Sequence, residues 1–127
     1  MADVNRQNRP LSPHLTIYRP QLTSMTSIFV RLTGNALLAS AILVTWWLLA
    51  AATSDAAFSM VNFVITSWFG VIVLTLSAWA LWYHLLGGLR HLIWDTGRGL
   101  EVSTSEKMGI AMILGSFILT AFTVWCI

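Results

Sequence analysis

Three stretches of this chain contain no Asp, Glu, Lys or Arg: residues 32–54, 56–89 and 108–127, which are 23, 34 and 20 residues long. A bilayer core roughly 30 Å thick is crossed by about 20 apolar residues rising about 1.5 Å each. Each stretch is long enough to cross. The whole chain is 57% hydrophobic and 9% charged, where an ordinary soluble domain carries about 25% charged residues. Seven basic and five acidic side chains cannot cover a small soluble domain, whose surface is large for its volume. A soluble enzyme and a disordered linker are therefore excluded, and the solvent is lipid. The net charge of +2 belongs to loops facing lipid headgroups and is no nucleic-acid footprint.

The composition thus predicts an all-α integral membrane protein of one domain. It has an extended arm at residues 1–22 and transmembrane helices at about 23–52, 60–92 and 105–127. The arm holds all three prolines, Pro10, Pro13 and Pro20, a spacing that forbids a regular helix before Pro20. It lacks the apolar run of a secretory signal, and Leu15, Ile17 and Tyr18 are expected to pack on a surface. The first helix should start near residues 23–27, where Thr and Ser can cap it. The second uncharged stretch is too long for one upright span, so its first part should be tilted or interfacial. The third helix should start near Ser105 with Glu106 in its first turn. Its small pair Ala111 and Gly115 allows close helix contact.

The basic residues set the orientation. Arg6, Arg9, Arg19 and Arg31 lie in the arm or at its membrane edge, Arg90, Arg98 and Lys107 flank the second loop, and the first loop has none. The positive-inside rule places the N-terminus and the second loop on the cytoplasmic or matrix side. The sole cysteine, Cys126, permits neither an internal disulfide nor a cysteine-ligated iron–sulfur cluster.

Chemistry concentrates in residues 84–97, HLLGGLRHLIWDTG. At about 100° per residue, His84, Gly87, Gly88, His91 and Asp95 share one helix face, and ionisable groups in a membrane helix face a partner or cofactor. Two glycines beside an imidazole leave a flat slot suited to a porphyrin with histidine as axial ligand; the same glycines also suit close helix packing. His84 and His91 are about 10.5 Å apart along the helix. Two axial nitrogens on one iron are about 4 Å apart, from ordinary metal–imidazole bond lengths. A bis-histidine haem would therefore take its second ligand from another chain, His14 being too far from the membrane. On the first helix, Ser27 and Arg31 form an i,i+4 pair followed by Gly34 and Asn35. A hydroxyl and a cation so placed can stabilise charge developing on a quinone carbonyl; alternatively, Ser27 caps the helix and Arg31 snorkels to phosphate. Trp46, Trp47, Trp68, Trp79, Trp82 and Tyr83 read as lipid or helix packing, and Trp94 and Trp125 fall near opposite membrane boundaries.

Three motifs carry a family resemblance: residues 9–18 (RPLSPHLTIY), 27–34 (SIFVRLTG) and 84–97. The chain resembles, end to end, the cytochrome b membrane-anchor subunit of succinate dehydrogenase (respiratory complex II). The resemblance implies a heterodimeric anchor bundle in which His84 is the axial ligand of haem b and a second membrane-anchor subunit supplies the other ligand. It implies that Ser27 and Arg31 line the ubiquinone pocket with Asp95 nearby, and that Arg31 and His91 surround the haem propionates. FAD and iron–sulfur clusters would sit on a flavoprotein subunit and an iron–sulfur subunit. Many members carry histidine just before the first-helix arginine, where this chain has Val30. A quinol:fumarate reductase anchor and a non-redox membrane transporter or assembly protein are the alternatives. With no transit-peptide pattern in the arm, a bacterial inner membrane is expected over a mitochondrial one.

Overall fold

In a computed structural model, residues 17–127 are described. They form four helices: α1 (Leu22–Thr53), α2 (Asp55–Thr66), α3 (Trp68–Asp95) and α4 (Val102–Cys126). Helices α1, α3 and α4 are apolar enough to cross a membrane. With 32, 28 and 25 residues, they extend about 48, 42 and 38 Å at about 1.5 Å per residue. Helix α3 is central, packed along both α1 and α4, while α2 sits against α1 and α3.

The long second uncharged stretch is two helices. Ser54 is extended, and its hydroxyl caps α2 by accepting from the Ala57 N–H at 3.2 Å. Asp55 in the first turn of α2 complements the helix dipole. At Ser67 the chain breaks again, and the Ser67 hydroxyl caps α3 by accepting from the Gly70 N–H at 3.2 Å. A Cβ on Gly70 would strike the carbonyl oxygens of Val64 and Ile65, so this tight junction needs glycine. Apolar residues before Ser67 thus form a short separate helix and not the lower part of one tilted span.

Other boundaries also differ from expectation. Helix α1 starts at Leu22 after Gln21, with no side-chain cap, so the Thr and Ser residues of its first turns are helix interior. Helix α4 starts at Val102, a turn before Ser105, and has no acidic residue in its first turn. Residues 1–16 of the proline-rich arm, Leu15 and His14 included, lie outside the described residues. Ile17 and Tyr18 are exposed, and the Tyr18 and Ser24 hydroxyls are 2.7 Å apart.

The core is small. Val30 of α1, Tyr83 of α3 and Met112 of α4 are buried together, with Trp79, Leu86 and Ile113 around them. Much of the remaining apolar surface faces outward, as at Phe63 and Trp125, which suits a chain solvated by lipid and covered by other membrane helices. The inward face of α4 is Ser105, Gly109, Met112, Ser116 and Thr120, not the expected Ala111–Gly115 pair. Ala111 is exposed, and a Cβ on Gly115 would lie 3.1 Å from Leu86 Cδ1. The Ser116 and Thr120 hydroxyls of this face are satisfied within their own helix, as lipid favours. Thr120 donates to Ser116 O at 2.7 Å and Ser116 to Ile113 O at 2.7 Å. Two tryptophans add directed cross-helix bonds: Trp79 to Ser116 at 3.1 Å and Trp82 to Thr123 at 2.9 Å.

Candidate functional site

Helix α3 presents two adjacent faces along the same segment. Ala80, Tyr83, Gly87 and Arg90 are buried and follow the three–four spacing of a helix packing seam. His84, Gly88, His91 and Asp95 form the neighbouring face, which is half-buried at His84 and Gly88 and exposed at His91 and Asp95.

His84 is held by α1. Its Nδ1 is 2.9 Å from the Val30 carbonyl oxygen. A carbonyl only accepts, so the neutral imidazole carries its proton on Nδ1 and presents its lone pair on Nε2. A hydrogen bond on the far nitrogen is how proteins fix the tautomer and aim of a metal-binding histidine. Gly34 makes the approach possible, since a Cβ there would lie 2.9 Å from His84 Cε1. The departure at Val30 therefore leaves a backbone contact in place: position 30 supports His84 through its carbonyl, which any residue supplies.

The two glycines do different work. A Cβ on Gly87 would lie 2.5 Å from Val30 Cγ2 and 3.5 Å from Met112 Sδ, so Gly87 lets the three helices close. A Cβ on Gly88 would meet nothing within 4 Å. The pair does not form one slot; only Gly88 leaves open room beside His84. An oriented imidazole next to a flat, uncovered stretch of helix fits an axially ligated haem. Beyond it, His91 stands edge-on to Trp94 at 5.2 Å.

On α1, Ser27 is half-buried and Arg31 is exposed. Ser27 lies inside α1, well past its start at Leu22, so it is not a helix cap. Its hydroxyl is met by a cation of α3, Arg90, whose Nη2 is 3.5 Å from Ser27 Oγ. Arg90 is 2% exposed and donates from Nη1 to Thr26 Oγ1 at 2.9 Å. Its guanidinium lies 4.6 Å from the centre of the Trp94 ring. Counting Arg90 among boundary cations overlooked this site. The signal was present in the spacing 80, 83, 87, 90, which puts Arg90 on the seam of small and aromatic residues. Asp95 closes α3 in an exposed position. No group of three or more His, Cys, Asp or Glu side chains forms a metal site among the described residues.

Residues 5–123 match the protein family described as succinate dehydrogenase/fumarate reductase transmembrane subunit. The chain is 57% identical over 123 residues to the succinate dehydrogenase cytochrome b556 subunit of Paracoccus denitrificans, covering 97% of this chain and 95% of that one. It is 38% identical over 112 residues to the protein of the same name in Rickettsia conorii, covering 88% and 87% of the two chains. It is 40% identical over 114 residues to the succinate dehydrogenase cytochrome b560 subunit of Marchantia polymorpha, covering 84% and 81%.

Proposed function

The chain belongs to the succinate dehydrogenase/fumarate reductase transmembrane subunit family, and from that premise we propose that it is the cytochrome b anchor of a succinate:ubiquinone oxidoreductase. It is the membrane component of that enzyme and not the succinate-oxidising one: its single cysteine cannot ligate an iron–sulfur cluster, and FAD and the clusters belong to the flavoprotein and iron–sulfur subunits. It holds those subunits at the membrane and helps to build the place where ubiquinone is reduced.

The observation that carries this reading is His84, with Nδ1 engaged by Val30 O at 2.9 Å and open space beside it at Gly88. The Nε2 lone pair is aimed by that hydrogen bond, and iron is its natural acceptor. Haem b, when bound, takes up and releases one electron at a time. His91 lies seven residues, about 10.5 Å, further along α3 and cannot be the opposite ligand, so a second anchor subunit supplies it. His91 and Arg31, both exposed, are the groups that would meet the haem propionates.

Ser27 and Arg31 face ubiquinone. The Ser27 hydroxyl donates to a quinone carbonyl oxygen, and the Arg31 cation offsets the negative charge that grows there as electrons arrive. Asp95, exposed at the end of α3, lies on the same side of the membrane by the distribution of basic residues and belongs to the surroundings of this pocket. That distribution places the N-terminus and the α3–α4 loop on the cytoplasmic side of a bacterial inner membrane, where the soluble subunits dock.

Substituting His84→Ala in the intact detergent-purified complex tests the ligand. The expected result is loss or displacement of the haem b bands in the reduced-minus-oxidised spectrum; an unchanged spectrum at full haem content overturns the assignment.

A further inference from the structure

Among the described residues, Arg90 is a cation buried without an anion beside it. It is 2% exposed, and among the described residues its hydrogen bonds go to two neutral hydroxyls of α1, those of Thr26 and Ser27. Its Nε–H is buried and makes no hydrogen bond. Desolvating a guanidinium with no carboxylate beside it is expensive, and the Trp94 ring at 4.6 Å compensates only in part. A structural staple between α1 and α3 needs no charge; Thr, Ser or Gln would join the two helices at lower cost.

The neighbours of Arg90 all fix where it points. The Thr26 hydroxyl accepts from Arg90 Nη1 at 2.9 Å while donating to Thr23 O at 3.0 Å. The Thr26 carbonyl in turn accepts from the Tyr83 hydroxyl at 3.3 Å. Gly109 of α4 packs against Thr26 and Arg90, a Cβ there standing at ordinary contact distance, 3.4 Å from Thr26 Cγ2 and 3.5 Å from Arg90 Nη1. The second prong, Nη2, is thereby set 3.5 Å from Ser27 Oγ, at the long edge of a hydrogen bond. A hydroxyl that accepts from a cation has one lone pair occupied, turns its proton elsewhere and becomes a stronger donor.

We propose that Arg90 is a positioning residue for quinone reduction. It orients and polarises the Ser27 hydroxyl toward the quinone carbonyl and holds a fixed positive charge one hydrogen bond behind it, in a site that water does not screen. The proposal rests on the reading of Ser27 as a quinone ligand. Charge so placed stabilises the reduced oxygen more than the bound ground-state carbonyl, so its loss falls on kcat more than on KM.

The test is a double-mutant cycle in the intact purified complex with Arg90→Gln, Ser27→Ala and the pair, measuring ubiquinone reduction by succinate. Haem content and succinate-driven dye reduction report assembly. The proposal expects Arg90→Gln to lower quinone kcat about tenfold, with a smaller change in KM and with haem and dye reduction intact. In the Ser27→Ala background the same substitution should change kcat less than about twofold, because the group it acts through is gone. Equal losses in both backgrounds overturn the proposal while leaving Ser27 as a ligand. Wild-type quinone kcat in Ser27→Ala overturns the reading of Ser27 and the proposal with it. Should Arg90→Gln fail to assemble, Arg90→Lys carries the test, since it keeps the charge but loses the two-pronged fork. A several-fold drop in quinone kcat with normal haem and dye reduction supports the proposal. Wild-type kinetics, or loss of haem and dye reduction in both Arg90 variants, overturns it.

Discussion

The substitution Gly34→Ala probes the haem ligand without touching it. A methyl group at position 34 would lie 2.9 Å from His84 Cε1 and 3.4 Å from Nδ1, whereas carbon atoms rest about 3.5–4.0 Å apart. The ring must therefore retreat from α1 by roughly 0.6 Å or more. Val30 is on that same helix, so the retreat also stretches the Nδ1–Val30 O hydrogen bond, now 2.9 Å, to about 3.5 Å, the limit of a useful bond. Losing it costs about 1 kcal/mol, and overpacking a close helix contact adds about 1–3 kcal/mol. The sum, about 2–4 kcal/mol, corresponds to roughly 30- to 1,000-fold in haem affinity at about 1.4 kcal/mol per tenfold. The assay is haem per complex, titrated by stepwise dilution in detergent, with succinate-driven dye reduction as the control for assembly. Expected is a complex with normal dye reduction and haem that dissociates at far higher dilution than wild type. Haem content and spectrum equal to wild type across the titration would refute the reasoning that Val30 and Gly34 set the pose of His84.

Further outcomes follow from the same geometry. Arg31→Ala removes an exposed cation from the quinone side and should lower ubiquinone reduction by about tenfold or more while leaving dye reduction near wild type; equal loss of both would point to assembly instead. Expressed alone, the chain should bind no stable six-coordinate haem, since His84 and His91 cannot share an iron; a bis-histidine spectrum from the lone subunit would contradict the need for a partner's ligand.

The three long apolar helices were legible in the sequence because charges are too costly in a bilayer to be placed at random, so their absence marks the spans. The break at Ser67 was not, since serine is ordinary within membrane helices and only its pairing with Gly70 three residues later signals a capped restart. On α4, the pair Ala111 and Gly115 drew the reading one face away from the seam of Ser105, Gly109, Met112 and Ser116, because a serine such as Ser116, whose hydroxyl bonds its own helix, packs as a small residue. His84 and its shared face with Gly88 followed from helical periodicity. The division of labour between Gly87 and Gly88 did not, because it depends on which helix crosses at each position, and that is a tertiary fact. Arg90 was hidden by its own charge: a boundary arginine normally reaches for water, whereas here it turns inward onto the Thr26 hydroxyl of α1 and the Trp94 ring.

Whether this chain is a haem-bearing anchor of a succinate-oxidising complex is decided by the reduced-minus-oxidised optical spectrum of the detergent-purified assembly, with haem quantified against this chain. Expected is one haem b per copy of the chain, co-purifying with a flavoprotein, an iron–sulfur subunit and a second membrane anchor. An assembly that contains this chain at full occupancy and shows no haem b bands would contradict it.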